Sequence, residues 1–350
     1  METKQRKLRK ENMAVIFVLW SLMCAAAMTV VLHLETQKTI VIADMPQGLT
    51  AGAVQADCDL RLEQREGGGG DISIPLPENV KAEDIIVENR YMERELWIYI
   101  RSDNTEFFEY SYVGVDLPSV LEAKYEIQPD GILLKFTMDR VQEYRSTMGD
   151  HVLEVAGGRP EDMYSYIVVI DPVGGGGDSG LCGYEYQEKE LALQIAKLVQ
   201  KNFASEDVKL YLTRNEDADV SAENRRALVN AVGADFYIGI GAAENPADES
   251  VYGIQCYYND EYYRSGFGNV DLADIVTKAV TIASSNRALG LVPAEEDSIL
   301  REINIPAAQL SAGYLSNGEE RDLLRQEAYL EKVAEGVIDA IEEACERLSQ

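Results

Sequence analysis

Hydrophobic and polar residues follow three successive patterns along this chain of 350 residues. The first is an uncharged apolar run over residues 13–34, preceded by a Lys- and Arg-rich tail, residues 1–12. A helix of about 20 apolar residues crosses a bilayer, and basic flanks mark the cytoplasmic side. The pattern predicts a single-pass anchor in the cell membrane, with a cytoplasmic N-terminus and the bulk of the chain outside. A signal peptide cleaved at residues 25–27 is the alternative.

The second pattern consists of short runs rich in aromatic and β-branched residues, over residues 71–158. Two such runs, 124–128 and 132–137, are separated by the turn sequence Pro-Asp-Gly and predict a β-hairpin. Short strands at this spacing predict a small, mostly-β, sandwich-like domain. Residues 35–70, which end in four consecutive glycines, are predicted to form a membrane-proximal segment before it.

The third pattern alternates strand-like and helix-like segments over residues 163–350. The apolar run at 166–170 is typical of a buried strand. Ser221 can cap a helix over residues 221–232, and the spacing predicts a longer helix over residues 270–289. Alternation of this kind predicts an α/β domain in which helices cover a sheet.

Charge and cysteine content narrow the classes of function. The chain has 61 Asp and Glu residues against 32 Lys and Arg residues, a net charge of -29. This negative field repels phosphate backbones and argues against a nucleic-acid partner. The four cysteines beyond the apolar run form no CxxC pair, so a zinc–thiolate site is not indicated. Whether they form disulfides or remain core thiols is left open. These cysteines are Cys58, Cys182, Cys256 and Cys345.

Two motifs lie near the two ends of the α/β region. Residues 167–180 read Ile-Val-Val-Ile-Asp-Pro-Val-Gly-Gly-Gly-Gly-Asp-Ser-Gly, and residues 310–317 read Leu-Ser-Ala-Gly-Tyr-Leu-Ser-Asn. Their order resembles that in the zinc-dependent N-acetylmuramoyl-L-alanine amidases, and the resemblance covers residues 163–350. It implies an amidase-like α/β fold, peptidoglycan as the substrate, and hydrolysis of the amide between muramic acid and L-alanine.

The resemblance also implies a zinc site, from which this chain departs at three of four positions. In the family, two histidines and a glutamate bind zinc, and a second glutamate acts on the attacking water. The three ligand positions hold Gly174, Glu188 and Gly241 here, and Ser311 stands at the position of the catalytic glutamate. Only Glu188 is retained.

These replacements predict a domain without zinc chemistry. Bound zinc lowers the pKa of water to about 7 and polarises the scissile carbonyl. One carboxylate, Glu188, is too small a ligand set to hold the metal, and Ser311 is a poor proton acceptor near neutral pH. The two histidines of the chain, His33 and His151, lie outside the amidase-like region. We therefore expect no catalytic residue, no metal ligands and no cofactor.

Four retained polar residues are candidates for contact with a ligand in the cleft: Glu188, Arg214, Arg225 and Asn317. The two arginines have a structural alternative, because arginines of this kind also brace loops through ion pairs.

Two other interpretations of the same region are weaker. Asp171, Asp178, Glu188 and Glu244 would form a hard-cation site if they met at the strand ends, but acids are abundant in this chain and chance clusters are expected. Residues 175–180 fit the GxGxxG pattern of dinucleotide sites. However, no helix begins directly after them and Asp178 would face the phosphates.

The sequence thus predicts a degenerate amidase-like protein of the cell envelope that binds without catalysis. Its expected partner is peptidoglycan, a cell-wall hydrolase that it regulates, or another envelope protein, and one helix would contact the membrane. Two alternatives stay open. One is an active peptidoglycan amidase with an atypical metal site, and the other is an envelope scaffold with no ligand in its cleft.

Overall fold

The computed structural model describes residues 38–40, 42–43, 45, 58–65, 71–182, 186–262 and 264–349. The predicted cytoplasmic tail, the anchor at 13–34 and the alternative cleavage site at 25–27 lie outside these residues. Within the described part of the chain, no helix has the length and apolar character needed to span a membrane. The chain divides into two compact units, with the boundary between Gly158 and Arg159.

The first unit is built from two β-sheets. A six-stranded sheet has the order β1-β10-β11-β4-β7-β3, and a five-stranded sheet has the order β2-β8-β9-β6-β5. A short helix, α1 (Phe107–Tyr110), precedes β7. The strands are β1 Lys38–Ile40, β2 Cys58–Asp59, β3 Arg61–Gln64, β4 Asp71–Pro75, β5 Ile85–Arg90, β6 Glu95–Arg101, β7 Tyr112–Val115, β8 Val120–Gln128, β9 Gly131–Met138, β10 Glu143–Met148 and β11 Val152–Gly158.

The two sheets share one apolar core, as in a β-sandwich. Ile72 and Ile74 of the first sheet belong to the same buried cluster as Ile98 and Phe136 of the second. Strands β8 and β9 pair as the hairpin that the sequence predicts. The sheets extend beyond the predicted range, because β1, β2 and β3 come from the segment 35–70. The described residues of that segment are therefore partly sheet, which its short and irregular apolar pattern does not reveal.

The second unit is an α/β domain around a six-stranded sheet of order β13-β12-β14-β17-β15-β16. All neighbouring strands are parallel except β15 and β17, which are antiparallel. The strands are β12 Tyr166–Pro172, β13 Val208–Leu212, β14 Phe236–Ala243, β15 Ile254–Tyr258, β16 Ala288–Pro293 and β17 Ala307–Tyr314. The helices are α2 Pro160–Met163, α3 Glu188–Asn202, α4 Ala222–Val232, α5 Asn269–Ser284, α6 Gly318–Leu324 and α7 Glu327–Leu348.

Helices α3, α5 and α7 contribute to the core that covers this sheet. Helices α5 and α7 cross closely at Gly336, where a Cβ atom would lie 2.5 Å from Cα of Val280. Ser221 caps α4 as predicted, accepting a hydrogen bond of 3.2 Å from the amide of Asn224. The predicted α/β architecture is confirmed in this unit.

One predicted helix boundary is wrong. The apolar spacing predicts a helix over residues 270–289, whereas α5 ends at Ser284 and the chain enters β16 at Ala288. Ser285 adopts a left-handed conformation, with φ of 54°, which terminates the helix. Strand β16 then pairs with β15. This partner lies about thirty residues away in sequence, so local periodicity did not reveal it.

The four cysteines, whose disulfide state the sequence does not determine, form no disulfide in the described structure. Cys256 and Cys345 are buried. Burial raises the pKa of each of these two thiols to about 12, so both are core residues that remain protonated near neutral pH.

Candidate functional site

The motif positions meet where the parallel strands of the second unit end. Gly174 lies in the loop that follows β12, Gly241 lies near the end of β14, and Ser311 lies in β17. Gly241 and Ser311 are paired residues on neighbouring strands. Glu188 begins helix α3 and reaches the same edge of the sheet. Carboxyl ends of parallel strands are the usual place for a ligand site in such folds.

Glu188 is buried, and both of its carboxylate oxygens accept backbone hydrogen bonds. The amide of Ala242 donates to Oε1 at 2.7 Å, and the amide of Leu181 donates to Oε2 at 2.8 Å. In the other direction, the amide of Glu188 donates to the carbonyl of Leu181 at 3.1 Å. The side chain therefore ties the end of β14 to the loop that precedes α3.

The electrostatic surroundings of Glu188 are unfavourable for its charge. Burial is the main cause that raises the pKa of the Glu188 carboxyl, and the negative charges of Asp178 and Glu244 raise it further. The amides of Ala242 and Leu181 act in the opposite direction without reversing the shift. This carboxylate therefore lies in a buried and negatively charged environment.

The glycine at position 241 leaves the space that Glu188 fills. A Cβ atom on Gly241 would lie 2.5 Å from Oε1 of Glu188 and 2.8 Å from Cγ2 of Val173. Gly174 has φ of 69°, a left-handed conformation that disfavours any residue with a Cβ atom. A side chain at either position therefore requires the present arrangement to change.

Ser311, which the sequence analysis places at the family's catalytic-glutamate position, is buried. Its hydroxyl donates to the carbonyl of Gly313 at 3.3 Å. Ser311 pairs with Gln255 on the neighbouring strand β15. The side-chain amide of Gln255 bridges two tyrosines. Gln255 donates to the hydroxyl of Tyr257 at 2.7 Å and accepts from the hydroxyl of Tyr314 at 2.8 Å. The position holds a packed hydroxyl rather than a proton acceptor facing the cleft.

The glycine-rich loop after β12 is pinned by two carboxylates. The amide of Gly176 donates to Asp217 at 2.7 Å, and the amide of Gly177 donates to Asp219 at 2.7 Å. Lys189 donates to both Asp217 and the carbonyl of Gly176, each at 2.8 Å. Protein carboxylates thus occupy amides that a phosphate would need, so the GxGxxG match does not form a dinucleotide site.

Arg214 and Arg225 hold the same loop through its carbonyl groups. Nε of Arg214 donates to Pro172 at 2.9 Å, and Nη2 donates to Val173 at 3.0 Å. Nη2 of Arg225 donates to Gly174 at 2.7 Å. Both arginines are buried, and burial, aided by the charge of Arg225, lowers the pKa of Arg214. Their guanidinium groups are engaged in bracing the loop.

Asp171 belongs to a buried network that is separate from the other acids of the site. It accepts hydrogen bonds from Thr213, Arg225 and Tyr237. Burial, reinforced by the charge of Asp171, raises the pKa of the Tyr237 hydroxyl well above its usual range. The hypothesis of a hard-cation site with Asp171 as a ligand is therefore not supported, because this carboxylate neutralises Arg225.

Asn317 has a structural contact of its own. Its side-chain oxygen accepts from the amide of Glu320 at 3.0 Å and caps α6, while its amide group donates to the carbonyl of Glu249 at 2.9 Å. Sequence reasoning missed Glu320, a buried carboxylate that accepts from the amide of Tyr314 at 2.6 Å and from Asn286 at 2.7 Å. Its spacing of three residues after the capping Asn317 was the available signal.

A cleft of about 400 Å³ opens beside Glu188. Its lining combines apolar residues and Tyr257 with several acidic residues. The lining residues are Leu181, Glu188, Ala242, Ala243, Glu244, Tyr257, Ala294, Glu295, Asp297, Ser298 and Gln309. Its volume falls in the range of about 300–1,000 Å³ that is typical of small-ligand sites.

The side chains at this edge do not fit a zinc ion. Both oxygens of Glu188 are engaged by backbone amides, and Gly174, Gly241 and Ser311 supply neither imidazole nor carboxylate. A structural or catalytic zinc site needs at least three protein ligands of those kinds. In the described ranges, no group of three or more His, Cys, Asp or Glu residues is arranged to hold a metal ion.

Comparisons with known proteins agree on one family. Residues 168–343 match the family described as N-acetylmuramoyl-L-alanine amidase. The chain is 27% identical over 179 residues to the probable cell wall amidase LytH of Staphylococcus aureus, and the match covers 50% of this chain and 56% of that relative. The chain therefore spans little more than half the length of that curated relative.

Solved structures of amidases are similar to the same half of the chain. An N-acetylmuramoyl-L-alanine amidase from Clostridium difficile 630 is 28% identical, with a TM-score of 0.48, and the match covers 51% of this chain and 96% of that one. The catalytic domain of CwlV from Bacillus (Paenibacillus) polymyxa var. colistinus is 27% identical, with a TM-score of 0.46, and the match covers 51% of this chain and 97% of that one.

Proposed function

The chain belongs to the N-acetylmuramoyl-L-alanine amidase family, and from this premise we propose that it is a non-catalytic member that binds peptidoglycan in the cleft beside Glu188. The proposal keeps the wall polymer of the family as the ligand and removes the hydrolytic step. The membrane anchor predicted at residues 13–34 belongs to the same proposal, because it would hold the amidase-like unit against the wall.

The arrangement of Glu188 carries this proposal. Its carboxylate, at the one family ligand position that is retained, is bound by the amides of Leu181 and Ala242 at 2.8 Å and 2.7 Å. Gly241 leaves space for that carboxylate, so the replacement and the hydrogen bonds form one consistent packing. The site is reorganised around a structural glutamate, whereas a merely damaged metal site would leave a polar side chain without partners.

Amide hydrolysis needs an activated water and a group that accepts its proton. The histidine-free unit offers Glu188 as the only family ligand, and each of its carboxylate oxygens accepts a hydrogen bond from a backbone amide. Ser311 is buried and donates to Gly313. The chain therefore supplies neither a donor set for zinc nor a general base at the expected position, while the cleft of about 400 Å³ persists.

Co-sedimentation of the full-length protein with purified peptidoglycan sacculi tests the binding claim. We expect saturable binding that is insensitive to added zinc and to chelators. Binding that requires zinc would contradict the proposal, and so would the absence of binding.

A turnover assay tests the claim of inactivity. The protein is incubated with sacculi, and the release of free stem peptides is followed by mass spectrometry, with an active amidase as the positive control. We expect no release above background. Release by the wild-type protein that disappears in Glu188→Ala would show a working hydrolase with an atypical metal site.

A further inference from the structure

Strand β15 presents a polar face opposite the apolar core of the second unit. Ile254 and Cys256 belong to that core, and successive side chains of a strand point to opposite faces of the sheet. Gln255 and Tyr257 therefore share the other face. Gln255 is buried, whereas Tyr257 is half-buried and lines the cleft beside Glu188. A buried amide thus lies directly behind a tyrosine of the cleft.

Two hydrogen bonds connect Gln255 to tyrosines on either side of it. The hydroxyl of Tyr314 donates to Oε1 of Gln255 at 2.8 Å, and Nε2 of Gln255 donates to the hydroxyl of Tyr257 at 2.7 Å. An amide oxygen only accepts hydrogen bonds and an amide nitrogen only donates them. The direction of the chain is therefore fixed, from Tyr314 through Gln255 to Tyr257.

The Tyr257 hydroxyl ends this chain with its own proton still available. Its oxygen accepts the hydrogen bond from Gln255, so its O–H group must donate elsewhere. In the described part of the chain, the Tyr257 hydroxyl forms no second hydrogen bond. Since Tyr257 lines the cleft, the proton is available to an acceptor that occupies the cleft.

The far end of the chain is held in place by a buried carboxylate. Glu320 accepts hydrogen bonds from the backbone amide of Tyr314 at 2.6 Å and from the side chain of Asn286 at 2.7 Å. Gln255 is also held by its strand pairing with Ser311. Buried polar networks whose members are satisfied are rigid, so the Gln255 amide has little freedom to turn.

The surroundings of Tyr257 determine which acceptor suits it. Burial, followed by the charges of Tyr314, Glu188 and Glu295, raises the pKa of the Tyr257 hydroxyl. The phenol therefore stays protonated near neutral pH and remains a donor. The same carboxylates would repel an anionic acceptor, so an uncharged carbonyl oxygen is the complementary group.

We propose that Tyr257 donates a hydrogen bond to an amide carbonyl oxygen of the bound wall polymer, and that Gln255 is the positioning residue that directs this proton into the cleft. The inference rests on the proposed function and adds to it a specific contact. Amide carbonyls occur in the acetamido groups of the wall sugars and in the stem peptides, and both sources share this chemistry.

Removal of the hydroxyl tests the donor role. Co-sedimentation with sacculi is measured for full-length wild-type protein, Tyr257→Phe and the control Tyr258→Phe, whose ring packs against the core on the opposite face. Loss of one buried hydrogen bond should weaken binding by about tenfold in Tyr257→Phe, and Tyr258→Phe should bind like the wild type. Equal binding by Tyr257→Phe and the wild type would overturn the inference.

Sacculi with N-deacetylated sugars identify the source of the carbonyl group. If the acetamido group is the acceptor, wild-type affinity for these sacculi should fall to that of Tyr257→Phe. If a peptide carbonyl is the acceptor, the difference between the wild type and Tyr257→Phe should persist. Binding in which neither Tyr257→Phe nor deacetylation has an effect contradicts the contact.

A double-variant comparison tests the positioning role of Gln255. In Gln255→Glu, the introduced carboxylate only accepts hydrogen bonds, so Tyr257 donates to it and turns its proton away from the cleft. This variant should lose about as much affinity as Tyr257→Phe, and the variant with both changes should lose no more. Additive losses would show a merely structural role for Gln255. Gln255→Met removes the amide donor without adding charge, and the same criterion applies if Gln255→Glu does not fold.

The pKa of the Tyr257 hydroxyl gives a measurement without ligand. Ultraviolet titration of the wild type minus Tyr257→Phe isolates this phenol, and the same difference is taken in the Gln255→Met background. Loss of the hydrogen bond that stabilises the phenolate should raise the pKa, and an unchanged pKa would refute the positioning role.

Sacculus binding by the wild type separates the two proposals. Binding that Tyr257→Phe retains in full refutes the donor contact and leaves peptidoglycan binding intact. Absence of binding by the wild-type protein refutes both proposals.

Discussion

A Cβ atom on Gly241 would lie 2.5 Å from Oε1 of Glu188. The two positions, both of which the family resemblance predicts as zinc-ligand positions, therefore share one space. Glu188 occupies that space and bonds to the amide of the next residue, Ala242, at 2.7 Å. The effects of substitutions at the two positions on the free energy of unfolding should therefore depend on each other.

The first prediction is a coupling between positions 188 and 241. Gly241→Ala should destabilise the fold by about 1–3 kcal/mol, as expected for overpacking. Glu188→Ala removes the clashing oxygen, so the double variant should be more stable than the sum of the two single effects by at least about 0.5 kcal/mol. Denaturant unfolding of the four proteins measures this difference, and strict additivity would contradict the observed packing.

The second prediction concerns zinc. Because the donor set does not fit the metal, a low micromolar excess of free zinc should leave the thermal midpoint of the wild-type protein unchanged. A ligand that bound only the native state at 100 times its dissociation constant would stabilise it by about 2.7 kcal/mol. A concentration-dependent rise in the midpoint that Glu188→Ala abolishes would show that zinc binds at this site.

The third prediction is a dependence of stability on pH through Glu188. Burial raises the pKa of this carboxyl above its ordinary value of 4.5, so the native state binds the proton more tightly than the unfolded state. Its contribution to stability therefore falls as pH rises from about 4.5 through the native pKa. Glu188→Gln does not titrate and should lose this part of the dependence.

Urea unfolding of the wild-type protein and of Glu188→Gln between pH 4 and pH 8 measures the effect. The exposed variant Glu296→Gln serves as the control and should follow the wild-type curve. A wild-type stability that rises relative to Glu188→Gln over this range would show that the native pKa is lowered, contrary to the structure.

The fourth prediction contrasts two adjacent arginines. Arg225 is buried and pairs with Asp171, whereas Arg226 makes an exposed ion pair with Glu302. Arg225→Ala leaves a buried carboxylate without its positively charged partner and should cost about 3–5 kcal/mol, while Arg226→Ala should cost at most about 1 kcal/mol. Equal effects in chemical denaturation would mean that Arg225 does not brace the loop.

The fifth prediction decides the role of Asn317. Because its side chain caps α6, Asn317→Ala should reduce stability by about 0.5–2 kcal/mol, and Asn317→Asp should retain most of the stability. Sacculus binding by the folded variants should match that of the wild-type protein. A loss of binding in Asn317→Asp without a loss of stability would identify Asn317 as a ligand contact.

Some of the site was predictable and some was not, for a physical reason that particular residues illustrate. The motif spacing singled out Gly174, Glu188, Gly241 and Ser311, and the structure places them at one edge of the sheet, because parallel strands bring their carboxyl ends together. The capping role of Ser221 was predictable because a helix cap is local and joins residues three positions apart.

The sequence by itself determined the α/β alternation, the family motifs and the absence of histidine from the amidase-like unit, because these depend on local periodicity and residue identity. Only the tertiary structure decided that Glu188 accepts hydrogen bonds from the amides of Leu181 and Ala242, and that Arg225 neutralises Asp171. Those contacts join residues that are distant along the chain except for Leu181. Their geometry follows from strand register and from which polar groups burial forces to find partners.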